Sequence, residues 1–326
     1  MTKTESIHTS FEKAVSEERP FMVYRIPGKE IELADLNGQT NFIIKPWQGG
    51  AFSLQSSNSS QKSRFQRQTS KEGYRVSFAK YMEAFQSGNI QKAILSSIIQ
   101  EEKPKDFDPI DYFFRLCESY PNAFAYLLYH PSLGTWCGAS PEILLEGSGD
   151  EYSTVALAGT QPTNPSQEYD WGEKEVEEHE LVNEHIRAIL EKGGATEIRE
   201  TAPYTIQAAN VVHLKTDFRF KYGKSVRSLL DQLHPTPAVA GLPTAASIEL
   251  IQAAEKHDRG LYTGYLGILS ESETRVFVNL RCMQIGERDL ALYAGGGITA
   301  KSDMEAEWME TRLKAKTLLN LLKSTT

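Results

Sequence analysis

The sequence is short of positive charge, of cysteine and of long apolar runs. Over 326 residues, 35 Lys and Arg stand against 43 Asp and Glu, a formal net charge of -8. No Lys/Arg-dense stripe stands out, so the basic face of a nucleic-acid binder is not expected. No stretch approaches the ~18 to 20 consecutive apolar residues of a membrane span. The first twenty residues, MTKTESIHTSFEKAVSEERP, lack the apolar core of a signal peptide. Cys117, Cys137 and Cys282 are odd in number, far apart and without CxxC spacing. They fit reduced thiols of a cytoplasmic protein and give neither a disulfide framework nor a zinc site. There is also no G-x-G-x-x-G fingerprint, no P-loop and no short internal repeat, so the usual nucleotide cradles are missing.

What remains is ordinary globular composition, 40% hydrophobic and 24% charged, enough for one large or two medium domains. Residues 1–70 read as a short N-terminal part, packed on a main body of residues 71–326. That part holds strand candidates at PFMVYRIPG and TNFIIKPW. The polar stretch 54–73, rich in Ser, Gln and Lys, reads as a loop or linker. A helix is expected over 72–88, with Val76, Phe78, Tyr81 and Phe85 inward and Gly88 as its stop. Strand-length segments then dominate: IQKAILSS, NAFAYLLYH, GTWCGASPEILLEG, YSTVALAGT and YTIQAANVVHLKTDFRF, the last holding two. A charged helix over 170–194 separates the last two, with Leu181, Ile186, Ile189 and Leu190 as its apolar side. SVRSLLDQL and ASIELIQAAEKHD flank an ordered loop, HPTPAVAGLP. Three strands, GLYTGYLGILS, TRVFVNLRCMQIG and LALYAGGGI, precede a final helix over 303–323. Groups of strands with helices between them imply an α+β layered fold rather than strict βαβ winding.

Several residues sit oddly in this plan. Lys92 opens the apolar run of IQKAILSS. It is either a strand-entrance lysine with its head in water or a positioned, partly desolvated amine. In the final helix Ser302 reads as N-cap with Glu305 completing a capping box, and Glu307 and Glu310 share one face. Glu177, Glu178 and Glu180 crowd the earlier helix. Such carboxylates are either solvated faces or, taken from two helices, ligands for a hard cation such as Mg²⁺. Gly295, Gly296 and Gly297 give either a tight turn or a cradle where backbone N–H groups approach an anion.

The blocks IQKAILS, GASPEILLE, ALAGT, EEHELV, LHPTPAVAGLP, RGLYTGYLG, VNLRCMQI, YAGGGI and SDMEAEWMETRLKAK occur in the order and spacing of the chorismate-utilising enzymes. The chain resembles that family over about residues 70 to 323, with a shorter N-terminal part. The resemblance implies the family's fold: large, mostly antiparallel sheets with helices packed outside. It also implies Mg²⁺ as cofactor and chorismate as substrate. Within the family, lysine at the position of Lys92 goes with water addition at C2, because water needs a general base whereas ammonia does not. Moving a lysine from ~10.4 to near 7 or 8 costs about 3 to 5 kcal/mol. Ala158 stands where one type of aminodeoxychorismate synthase has an attacking lysine, and Pro237-Ala238-Val239 is similar to isochorismate synthases. These features favour isochorismate formation, feeding menaquinone or a siderophore. They leave salicylate synthase as the alternative, and an ammonia-using synthase with a glutaminase partner as the less favoured one.

The resemblance assigns roles residue by residue. Glu142 would protonate the departing C4 hydroxyl, so Lys92 must be neutral and Glu142 protonated, a pair tuned in opposite senses. Glu178 and Glu310 would hold Mg²⁺, with Glu307 on a metal-bound water. Arg281 and Tyr262 would bind the enolpyruvyl carboxylate, assisted by the N–H groups of Gly295, Gly296 and Gly297. Ala158, Gly159, Thr160, His234 and Ala238 would line the ring pocket. Two positions depart from the family pattern: Ser97 and Gln161 stand where arginine is frequent in relatives.

Overall fold

A computed structural model describes residues 3–34, 41–49, 52–53, 64–164, 168–208 and 211–322. The chain forms two compact units. One comprises Met1–Glu142, Val239–Gly267 and Phe277–Thr326; the other comprises Ile143–Ala238 and Ile268–Val276. The elements up to Glu142 are α1 (Lys3–Ser16), β1 (Phe21–Arg25), β2 (Ile31–Leu33), β3 (Phe42–Lys45), β4 (Phe52–Ser53), α2 (Lys71–Gln86), β5 (Lys92–Glu102), α3 (Pro109–Ser119), β6 (Phe124–His130) and β7 (Gly134–Ser140). Then follow β8 (Ile143–Ser148), β9 (Glu151–Pro162), α4 (Glu173–Gly193), β10 (Thr196–Glu200), β11 (Tyr204–Ala208), β12 (Val211–Lys221) and α5 (Val226–Leu233). The chain ends with β13 (Gly241–Leu242), α6 (Thr244–Ala254), β14 (Tyr265–Leu269), β15 (Thr274–Val278), β16 (Cys282–Ile285), β17 (Asp289–Ile298) and α7 (Met304–Leu319).

The strands build two large antiparallel sheets, as expected for an α+β layered fold. The eight-stranded sheet runs β13-β5-β17-β16-β7-β6-β1-β2, all within the first unit. Its longest ladder joins β5 and β17 from Ala93↔Ile298 to Glu102↔Asp289. One face of this sheet buries Ile99, Leu127, Met283 and Leu292 against α1, α3 and the end of α7. Ala93 and Leu95 face α2 and α6 through Tyr81, Phe85 and Ile251. The hydrophobic effect on these faces drives the layering. In the second unit β12 lies between β10 and β9, β9 pairs with β8, and α4 packs on β9 and β12.

Some elements differ from expectation. Val76 points outward, and the inward face of α2 is Tyr74, Phe78, Tyr81 and Phe85. Leu181 is exposed on α4, whose buried stripe is His179, Val182, Asn183, Ile186 and Leu190, the spacing of one helix face. Asp303, not Ser302, caps α7: its Oδ1 accepts from Ala306 N–H at 2.9 Å, while Ser302 donates to Glu307. TRVFVNLRCMQIG is two strands, β15 and β16, which belong to different sheets. GTWCGASPEILLEG divides in the same way into β7 and β8. The helices α1 and α3 were not foreseen, although Asp108-Pro109 opens α3 as N-cap and first-turn proline. Of the polar stretch 54–73, residues 54–63 lie outside the described residues, and Lys71 already begins α2. All three cysteines are free and buried. Among the described residues no helix is long and apolar enough to cross a membrane.

Candidate active site

The two breaks where the chain leaves one sheet for the other lie side by side. Glu142 occupies the β7–β8 break, and Arg281 the β15–β16 break. The Glu142 carbonyl accepts from Val278 N–H at 2.9 Å, which ties one break to the other. Arg281 has φ +38°, a left-handed conformation uncommon for a side chain-bearing residue. Neighbouring bonds hold it there. Its carbonyl accepts from Ala139 N–H at 3.0 Å, and Asn279, two residues earlier, is buried and accepts from Tyr126 Oη at 3.0 Å. Arg281 was expected inside a strand; the sheet change places it in a turn instead.

Lys92, Glu142 and Arg281 share one electrostatic neighbourhood. Burial pushes the Glu142 carboxyl up to about 7, and the positive charges of Lys92 and Arg281 oppose the rise. Glu142 thus holds its proton far more readily than a solvated glutamate. Burial pulls Arg281 down, while Tyr262, Glu310, Tyr120 and Glu142 support its charge, so these groups surround the guanidinium. Tyr262 is 4% exposed, and burial raises its hydroxyl well above the usual range.

The glycine triplet lies within β17, next to its C-terminal residue Ile298, rather than in a turn. Each glycine leaves room for a different group. A Cβ on Gly295 would lie 3.0 Å from Tyr262 Oη, one on Gly296 2.8 Å from Glu307 Oε2, and one on Gly297 2.6 Å from Lys92 Cε. Small residues let three candidate side chains lie against one strand. The Glu310 carboxylate is 3.9 Å from the Gly296 Cβ position, so Glu307 and Glu310 both reach the same point of the sheet.

The residues present suit a hard divalent cation. Burial pushes the Glu307 carboxyl up, a hydrogen bond from Ser302 at 2.7 Å opposes this, and the charge of Glu310 adds to the rise. Glu307 and Glu310, two oxygen-donor carboxylates over a glycine gap, match the preference of Mg²⁺ for one or two carboxylates plus water and an anionic ligand. Glu178 is half-buried on α4, in the second unit. Elsewhere, His8, Asp108 and Asp111 form a group of metal-type side chains, but Asp108 Oδ1 already caps α3.

The second unit holds the remaining expected residues. Ala158 is buried on β9 opposite Leu214. Gly159 has φ +68°, and a Cβ there would lie 3.3 Å from the Trp171 ring. Its carbonyl bonds His213 Nδ1 at 2.9 Å, beside an irregularity in the β9–β12 register that re-aims the local side chains. Thr160 follows on β9. His234, 3% exposed, caps α5, and Ala238 is half-buried in the loop that follows.

One residue near the glycines escaped the sequence reading. Lys314 Nζ lies 2.7 Å from Glu310 Oε1 and donates to the Gly295 carbonyl at 2.8 Å. Burial pulls this amine down, and Glu310 supports its charge. The signal was the Glu310–Lys314 spacing of four, which on a helix normally reads as a surface pair.

Residues 35–323 match the family described as chorismate binding enzyme. Isochorismate synthase EntC of Escherichia coli is 31% identical over 243 residues, covering 71% of this chain and 62% of EntC. The chain therefore spans less than two thirds of that relative. A putative isochorismate synthase MenF of Mycobacterium tuberculosis is 32% identical over 268 residues, covering 76% of this chain and 72% of the relative. In fold, the chain is similar to the solved structure of MenF, the menaquinone-specific isochorismate synthase from Escherichia coli. The TM-score is 0.78 at 22% identity, over 94% of this chain and 89% of that one.

Proposed function

The chain belongs to the chorismate binding enzyme family, and on that footing we propose that it is a Mg²⁺-dependent isochorismate synthase, acting in the cytoplasm without a glutaminase subunit. The observation that carries the reading is the trio of Lys92, Glu142 and Arg281, with Glu142 raised to about 7. A carboxyl that keeps its proton near neutrality can donate it, and an amine opposite can accept one.

In this reading Lys92 takes a proton from water as the water oxygen bonds to C2 of chorismate. The ring double bonds shift, and the C4 oxygen leaves as water with the proton of Glu142. One water enters and one departs, so the product is an isomer of the substrate. Arg281 holds a substrate carboxylate through its planar fork, with Tyr262 beside it. Glu307 and Glu310 would hold Mg²⁺, which would supply positive charge for the second carboxylate of the dianion. Lys314 adds local positive charge that an acidic chain otherwise lacks. The resemblance assigns Ala158, Gly159, Thr160, His234 and Ala238 to the ring pocket. In this reading residues 71–326 would carry the chemistry. Menaquinone and siderophore routes are the alternatives that the resemblance leaves open for the product.

Lys92→Ala tests the central role. Product should vanish while Mg²⁺-dependent chorismate binding, followed by calorimetry, persists. Retained turnover would remove Lys92 as the base.

A further inference from the structure

Lys92 stands one residue beyond the last β17 partner of its strand, since the β5–β17 ladder ends at Ala93↔Ile298. On the other side β5 pairs with the short β13, Leu242 opposite Lys92, and further along Thr69 N–H donates to the Ile98 carbonyl at 3.0 Å. Backbone bonds from Gln91 N–H to the Leu242 carbonyl at 2.8 Å and from Ile94 N–H to the Ala240 carbonyl at 2.9 Å flank Lys92 on the β13 side. Side chains from α6 and the turn after it add further bonds to the backbone of this stretch of β5. Ser247 Oγ donates to the Lys92 carbonyl at 3.0 Å. Two turns along, Glu255 Oε1 accepts from Ser96 N–H at 2.7 Å. Arg259 Nη2 donates to the Ile94 carbonyl at 2.8 Å, and Tyr81 Oη donates to the same oxygen at 3.0 Å.

The pair behind these bonds is rigid. Arg259 grips Glu255 through Nε at 2.8 Å and Nη2 at 2.7 Å, with side chains 1% and 3% exposed. The same guanidinium donates to the Val239 carbonyl at 3.0 Å, and the Arg259 carbonyl accepts from Tyr262 N–H at 2.8 Å. It thus ties the Lys92 strand, the Val239 segment and the Tyr262 turn to one point. A bidentate ion pair resists the sliding that a single neutral hydrogen bond allows.

We propose that Ser247 and the Glu255–Arg259 pair are positioning residues that fix Lys92 against the reacting water. The proposal rests on the reading of Lys92 as the general base. Displacing a catalytic group by about 1 Å costs up to ~100-fold in rate. Ser247 is fully buried and its hydroxyl donates to the backbone carbonyl of Lys92, so it acts through geometry rather than chemistry.

The test compares Ser247→Ala, Arg259→Lys and Lys92→Ala in the full-length protein with chorismate and Mg²⁺, recording kcat, KM, the pH–rate profile and thermal unfolding. Ser247→Ala should lower kcat about tenfold, leave KM within about twofold, and displace the limb of the pH profile that reports the base. Arg259→Lys should do the same more strongly. Should Arg259→Lys fail to fold, Ser247→Ala decides alone. A Ser247→Ala protein with the parent's kcat and pH profile overturns the proposal, whether or not its unfolding temperature falls, and so does a change confined to KM. Turnover by Lys92→Ala would instead overturn the general-base reading beneath it.

Discussion

The side chain of Lys92 runs across Gly297, so that a Cβ on the glycine would stand 2.6 Å from Lys92 Cε and 3.4 Å from Nζ. Gly297→Ala must therefore push the lysine aside. We expect a fall in kcat of at least about tenfold with near-parent unfolding temperature, measured by initial rates and calorimetry. Unchanged kcat would mean that the lysine relaxes without consequence.

Gly296→Ala strikes a different function. Its Cβ would meet Glu307 Oε2 at 2.8 Å, so the carboxylate must move. The Mg²⁺ concentration for half-maximal activity should rise roughly tenfold or more, with kcat at saturating Mg²⁺ largely kept. A metal titration of the two alanine variants separates the two neighbouring sites.

Glu142 links rate to pH. As the proposed acid it must be protonated, and it titrates at about 7. The rate should fall as pH rises through that value. Glu142→Gln should cost about 10² to 10⁴ in kcat.

The same carboxyl links stability to pH. Its folded value of about 7 lies above the ordinary 4.5. Between these values the native state keeps a proton that the unfolded chain releases, so this group favours the fold at low pH and that contribution is lost as pH rises through 7. Glu142→Gln should therefore unfold at a higher temperature than the parent at pH 8, with the gap closing toward pH 4. A glutamine variant no more stable than the parent at pH 8 would contradict the desolvation of this site.

Asp303 caps the helix that bears Glu307 and Glu310. Asp303→Ala should cost about 1 kcal/mol by denaturant titration, while Asp303→Asn should recover most of it.

Much of the fold was legible because burial imposes periodicity. IQKAILSS reads as a strand and is the start of β5, and α2 falls within a residue or two of its expected span. The misses have a common cause. TRVFV and CMQI are both good strands, and nothing local marks the sheet change between them, so Arg281 was read as mid-strand. Lys314 was hidden by a helix spacing that usually means solvent. The role of Ser247 lay beyond any local pattern, because it depends on α6 returning 155 residues later to the backbone of β5. The left-handed backbone at Arg281 likewise follows from tertiary bonds through Ala139 and Asn279.

The most direct measurement is the identity of the product. The protein is incubated with chorismate and Mg²⁺ in ¹⁸O-labelled water, with and without ammonium, and the products are resolved by chromatography and mass spectrometry. The account predicts isochorismate with one heavy oxygen, carried on C2, and the same product whether or not ammonium is present. An aminated ring, or salicylate with pyruvate as the main products, would contradict it.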